Sequence, residues 1–90
     1  MKYTIRRTSQ FKKDAKRLQR SGKDIEQLLL VIAKLAKGER LSRKYSDHPL
    51  KGKFKGKQDC HIEDDWILIY SVEDNELILY RTGTHAQLFR

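Results

Sequence analysis

Ninety residues with 38% hydrophobic and 36% charged side chains make one small domain with a modest core and much exposed charge. No apolar run approaches the ~20 residues of a membrane helix. The start, Met1-Lys2-Tyr3-Thr4-Ile5-Arg6-Arg7, has no apolar leader segment, and the lone Cys60 has no internal disulfide partner, so a cytoplasmic chain is expected. The net charge is +8 and unevenly placed: residues 1–58 hold 18 bases and 5 acids, residues 59–90 only 2 bases and 7 acids. Such a basic surface attracts polyanions, nucleic acid first and an acidic protein second.

Tyr3 and Ile5 alternate with polar neighbours, which predicts a short first strand. Thr8 or Ser9 caps a helix whose apolar positions are Phe11, Ala15 and Leu18, and Ser21-Gly22 ends it. Lys12, Lys13, Lys16, Arg17 and Arg20 cover its other side. Asp24 opens a second helix with Gln27 placed for a capping box. Ile25, Leu28, Leu29, Ile32 and Leu35 form its expected buried stripe, and Gly38 stops it. The two helices read as an antiparallel hairpin.

Residues 38–56 are basic and mostly irregular, with the only proline, Pro49. A three-stranded meander follows: about 57–63, 66–72 and 76–81, joined by Asp64-Asp65 and Asp74-Asn75, residue pairs that favour tight reversal. With two-residue turns throughout, Cys60, Ile69 and Tyr80 fall in one row, and Ile62, Ile67 and Ile78 share their face, packed on the helices. His61, Leu68 and Arg81 then share a row on the exposed face. A short tail, His85 to Arg90, ends the chain.

The chemistry-bearing residues are three histidines in polar settings, His48, His61 and His85, and the nearby Arg81 and Asp65. RNA cleavage by its own 2′-hydroxyl needs a base, an acid and a cation for the charged phosphorane. Imidazole, with a pKa of roughly 6.5, serves the first two; arginine serves the third with bidentate hydrogen bonds. The spacing of His48, His61, Asp65 and His85 matches no compact zinc pattern, and no phosphate-binding glycine loop is present. Trp66 reads as a core residue. Taken singly, each of the others also fits a surface or salt-bridging role.

Asp47-His48-Pro49-Leu50, Phe54-Lys55-Gly56, Cys60-His61-Ile62-Glu63, Asp65-Trp66-Ile67-Leu68-Ile69-Tyr70 and Arg81-Thr82-Gly83-Thr84-His85 with Leu88-Phe89 resemble, in order and spacing, the YafQ-type toxins of the RelE superfamily. The resemblance runs from about Phe11 to Phe89. It implies a single α+β domain over 1–90 with a RelE-like, microbial-RNase-type fold: an N-terminal strand, a two-helix hairpin, an antiparallel sheet and a short tail.

It also implies a ribosome-dependent mRNA endoribonuclease that needs no cofactor or metal. Its partners would be mRNA, the ribosome and a cognate antitoxin with an acidic or amphipathic segment, with operator DNA bound only by the toxin–antitoxin complex. Its functional positions map onto His48, His61, Asp65, Arg81, His85 and Phe89, with His85 a principal proton-transfer group, Arg81 on the phosphate and Phe89 positioning a base or the tail. Lys12, Lys13, Lys16, Arg17, Arg20, Lys51, Lys53 and Lys55 are the expected RNA- and ribosome-binding cations, and the basic stretch 34–43 adds to them. Lys57, Gln58 and Asp64 depart from the family pattern. A basic nucleic-acid-binding module without catalysis, or an inactive relative held by an antitoxin, is the competing expectation.

Overall fold

A computed structural model describes residues 2–41, 48–50 and 52–89. The elements are β1 (Thr4–Arg7), α1 (Ser9–Arg20), α2 (Ile25–Ala36), β2 (His48–Pro49), a 3-10 turn (Gly52–Phe54), β3 (Gln58–Glu63), β4 (Trp66–Glu73), β5 (Glu76–Gly83) and α3 (His85–Leu88). The strands form one five-stranded sheet in the order β1-β5-β4-β3-β2. The expected antiparallel meander is its centre. β1 adds a parallel edge beside β5, so the sheet is mixed, and β2 adds an antiparallel edge beside β3.

Local chemistry starts and stops the helices much as expected. Thr8 is the cap of α1: its hydroxyl accepts from Phe11 N at 3.0 Å and donates to Tyr80 O at 2.9 Å, so one side chain both starts a helix and ties it to β5. Gly22, at φ +94°, takes the left-handed turn that lets the chain leave α1. Asp24 caps α2 by accepting from Glu26 N. Gln27 does not complete a capping box there; its amide donates to Glu63 Oε2 at 3.3 Å and fastens α2 to β3.

The buried stripe of α2 is Leu28, Val31, Ile32, Leu35 and Ala36. Leu29, expected in that stripe, is 55% exposed, and Leu30 beside it 54%. A run of three leucines leaves the phase of a helix ambiguous, and the docking of α2 against β3 decides it.

Both hairpin turns form as predicted, but each hairpin carries one extra residue that shifts its register. Asp74 and Asn75 have φ +48° and +66°, the double left-handed geometry that suits the strand twist. Asp64 and Asp65 lack it, and a bulge at Ile62 takes up the mismatch: Glu63 pairs with Trp66, yet His61 pairs with Ile67. In the second hairpin Tyr70 pairs with Leu79 but Ile69 with Arg81, leaving Tyr80 as the bulged residue.

The predicted row of His61, Leu68 and Arg81 therefore does not exist. The rows are His61–Ile67–Gly83 and Asp59–Ile69–Arg81, and His48 pairs with Asp59 at the end of the second. His61 and Arg81 still share a face, two rows apart, with the Cys60–Leu68–Thr82 row facing the other way between them.

The bulges also change which side chains meet the helices. Cys60 and Ile62 face them as expected, but their companions are Trp66, Leu68, Tyr70, Leu77 and Leu79. Ile67, Ile69 and Tyr80, expected there, lie on the other face with Phe54, Leu88 and Leu50. That second face is thus covered by the 3-10 turn and α3 rather than left to solvent. The domain has a large core under α1 and α2 and a small one under the candidate site.

Candidate functional site

The expected tail is in fact a helical turn with its own capping box. Thr84 N donates to Gln87 Oε1 at 2.9 Å, and Gln87 N donates back to Thr84 Oγ1 at 3.2 Å. Leu88 seals the turn onto the sheet at 1% exposure. Gly83 makes this closeness possible: a Cβ there would stand 2.6 Å from Gln87 Oε1. α3 is therefore held rigidly across the end of the sheet, and His85 is its first residue.

Asp65, in the β3–β4 turn, binds His85 twice. Its Oδ1 accepts from His85 N at 2.9 Å and lies 2.7 Å from His85 Nδ1. The His85 backbone N–H, then its ring, hold the Asp65 carboxyl below its usual pKa range. An ionised carboxylate only accepts hydrogen bonds, so it places the proton on Nδ1 and leaves Nε2 to solvent and ligand. Both side chains are more than half exposed.

His61 projects from β3 toward the same spot, its ring 5.5 Å from that of His85 between centroids and inclined at 69°. Phe89 follows, 42% exposed, with its ring 6.0 Å from His85 and 5.8 Å from Phe54. His61, Asp65, His85 and Phe89 thus converge at one end of the sheet. His48 belongs to the neighbouring row by its backbone pairing with Asp59. Its side chain, that of Lys53, and all of Lys51 lie outside the described residues. So do residues 42–47 of the basic stretch.

Arg81, expected on the phosphate, takes up the salt-bridging role that the sequence also allowed. Its Nε and Nη2 donate to Asp14 Oδ2 and Oδ1, both at 3.0 Å, and its side chain is 22% exposed. Asp14, on α1, is completely buried. Burial opposes its ionisation, but hydrogen bonds from Arg81, Gln10 and Thr82 N, with the Arg81 charge, hold its pKa below the ordinary carboxylate value. The same contact raises the Arg81 pKa. Sequence reasoning missed Asp14, although it stands three residues after Phe11 and four before Leu18, on the apolar stripe of α1 where a carboxylate needs a buried partner.

The other expected cations behave simply. Lys12, Lys13, Lys16 and Arg20 are exposed along α1, and Lys55 is exposed beside the 3-10 turn. Arg17 is half-exposed and donates to Asp14 Oδ1 at 3.2 Å. Lys57 lies with its ammonium 4.6 Å from the Tyr80 ring centre. Trp66 is a core residue: it is fully buried and donates from Nε1 to Thr82 Oγ1 at 2.9 Å. Cys60 is buried on the helix side of the sheet, away from the histidines. Among the described residues no three His, Cys, Asp or Glu side chains group as metal ligands.

Comparison with known proteins places this geometry in a family. Residues 3–90 match the family model described as the bacterial toxin of type II toxin–antitoxin system, YafQ. The chain is 44% identical over 86 residues to the mRNA interferase toxin YafQ of Escherichia coli K12, covering 94% of each chain. It superimposes on a crystal structure of the E. coli DinJ–YafQ complex with TM-score 0.91 and 43% identity, over 98% of this chain and 99% of that one. A copper-bound mutant toxin from Helicobacter pylori matches with TM-score 0.92 and 42% identity, over 97% and 99%.

Proposed function

The chain belongs to the YafQ family of type II toxin–antitoxin toxins, and from that premise we propose that it is an mRNA interferase: a metal-independent endoribonuclease that cuts mRNA in the ribosomal decoding site. The observation that carries the reading is the His85 imidazole, set on a rigid turn with Nδ1 engaged by Asp65 and Nε2 open beside His61.

Two imidazoles on one rim supply the acid and the base for transfer through the 2′-hydroxyl. One takes the 2′ proton as that oxygen attacks phosphorus. The other protonates the departing 5′ oxygen, leaving a 2′,3′-cyclic phosphate and a 5′-hydroxyl. Asp65 stabilises His85 when its ring is charged, and the free edge of Arg81 meets the phosphorane. His48, in the row of Arg81, completes the acid–base set, and Phe89 offers an exposed ring on which a base can stack.

The exposed lysines of α1 and Lys55 would bind ribosomal RNA without reading sequence. The E. coli relative crystallised with DinJ supports a cognate antitoxin for this chain as well, and a +8 toxin favours an acidic segment on it. Operator DNA would be engaged only by the toxin–antitoxin complex.

The test is cleavage of mRNA on programmed ribosomes, read by mapping 5′ ends, with wild type, His85→Ala and Arg81→Ala. Wild type should create new ends, also with a copper- and zinc-selective chelator in Mg²⁺-containing buffer, and both variants should lose them. A basic binding module without catalysis would create no ends with any of the three. The copper-bound H. pylori relative gives the chelation arm its point: activity lost to the selective chelator at constant Mg²⁺ and restored by copper or zinc would replace metal-free catalysis with a metal mechanism.

A further inference from the structure

Asp14 has no part in the chemistry above, yet it is the most heavily engaged carboxylate among the described residues. Oδ1 accepts from Arg81 Nη2 (3.0 Å), Gln10 Nε2 (3.0 Å) and Arg17 Nη2 (3.2 Å); Oδ2 accepts from Arg81 Nε (3.0 Å) and Thr82 N (3.3 Å). Its place in the fold explains the crowd. β1 pairs with β5 only as far as Leu79. Beyond that point α1 lies along the open edge of β5, where Thr8 serves Tyr80 O and Asp14 serves Thr82 N as a further strand would. The bulge at Tyr80 sits at this junction and sets the position from which Arg81 reaches round the edge to α1.

A buried ion pair is a poor device for stability alone, because well-packed apolar side chains of similar volume often do as well or better. It is a good device for direction. A guanidinium has five N–H donors in one plane. The side-on contact uses Nε–H and one hydrogen of Nη2, so three donors remain, two of them on the end-on edge formed by Nη1 and Nη2, and the side chain stays 22% exposed. Without the clamp, a long side chain at the end of a strand would sample several rotamers. Arg17 on the same carboxylate leaves the cluster with a net positive charge and a second guanidinium beside the first.

We propose that Asp14 is a positioning residue for RNA cleavage: its buried carboxylate fixes Arg81 side-on, so that the free edge of the guanidinium is presented to the scissile phosphate. The inference rests on the assignment of Arg81 to the phosphate made above. It adds that α1, which carries the exposed lysines, also sets the geometry of the site.

The experiment is single-turnover cleavage on programmed ribosomes with wild type, Asp14→Asn, Arg81→Ala and the double variant, each with and without guanidinium chloride at non-denaturing concentration. Asp14→Asn keeps the shape but puts an amide N–H against a guanidinium N–H. It should slow cleavage about 10–100-fold with half-saturating ribosome concentration unchanged.

Arg81→Ala should be slower still, and free guanidinium should restore about tenfold, because Asp14 holds it where Arg81 was. In the double variant guanidinium should restore nothing. A wild-type rate for Asp14→Asn, or equal rescue with and without Asp14, would overturn the proposal. Arg81→Ala cleaving at the wild-type rate would instead remove the assignment of Arg81 on which it stands. Thermal melts identify any variant that fails to fold; Arg81→Lys then replaces Arg81→Ala, with Asp14→Asn expected to add no further loss in its background.

Discussion

The two faces of the sheet are packed to different ends. Under α1 and α2, Trp66, Leu68, Tyr70, Leu77 and Leu79 meet Phe11, Leu18, Leu28, Val31, Ile32 and Leu35 in one continuous core. On the opposite face, among the described residues, only Phe54, Ile67, Ile69 and Leu88 are buried together, with Leu50 and Tyr80 against them. The first face has the apolar area to stabilise a 90-residue chain. The second has just enough to hold a 3-10 turn and a four-residue helix, and it is the second that carries His61, His85 and Phe89. Stability and the proposed chemistry are therefore separable by face, while Asp14 and Arg81 join the two around the edge of β5.

The sharpest way to break this division is to cut into the large face. Trp66→Ala removes the largest fully buried side chain and leaves the Thr82 hydroxyl without its indole donor. It should cost about 3–5 kcal/mol, a large share of the ~5–15 kcal/mol that holds a domain of this kind. Urea denaturation would show it as a large fall in midpoint.

His85→Ala should do the reverse. Losing one proton-transfer group lowers cleavage about 10²–10⁴-fold, while the half-exposed ring leaves the stability read from urea unfolding within about 0.5 kcal/mol of wild type. Leu88→Ala lies between. It should cost about 2 kcal/mol, the low end for a buried leucine, and because Leu88 seals α3, cleavage should fall with stability.

The pH dependence probes the bridge between the faces. The folded pKa of Asp14 lies below its ordinary value of 3.8. Its contribution to stability is therefore fully present above that value and is lost as pH falls through the lower folded one. Urea midpoints measured from neutral pH into this acid range should fall more steeply for wild type than for Asp14→Asn. The smallest effect belongs to the misassigned Leu29 and its neighbour: Leu29→Ser and Leu30→Ser, both on exposed positions, should shift stability by no more than about 0.5 kcal/mol.

Much of this was legible in the residues. Caps at Thr8 and Asp24, glycines after the helices, and turn pairs at 64–65 and 74–75 located the elements. Local rules stopped at two kinds of feature. A bulge adds one residue to a strand, and no local pattern announced those at Ile62 and Tyr80, so the β4 side chains and Tyr80 were assigned to the wrong faces. Parallel pairing of β1 with β5 joins segments about seventy residues apart, beyond the reach of periodicity.

At the site, the turn that brings Asp65 to His85 was visible as sequence, but their contact was not. The approach of His61 to His85 depends on the shifted register, in which His61 stands in the row that ends at Gly83, two residues before His85. Asp14 was available as a signal, a carboxylate on an apolar stripe, and its partner could be named only once α1 was seen along the edge of β5.

The central claim is that His85, held by Asp65 on the lightly packed face, transfers a proton during RNA cleavage. The most direct measurement is mapping of 5′ ends on programmed ribosomes with wild type and His85→Ala, after urea melts have shown both to be equally folded. The account predicts new mRNA ends with wild type and their near absence with the variant. The same ends, formed at the same rate by His85→Ala, would contradict it.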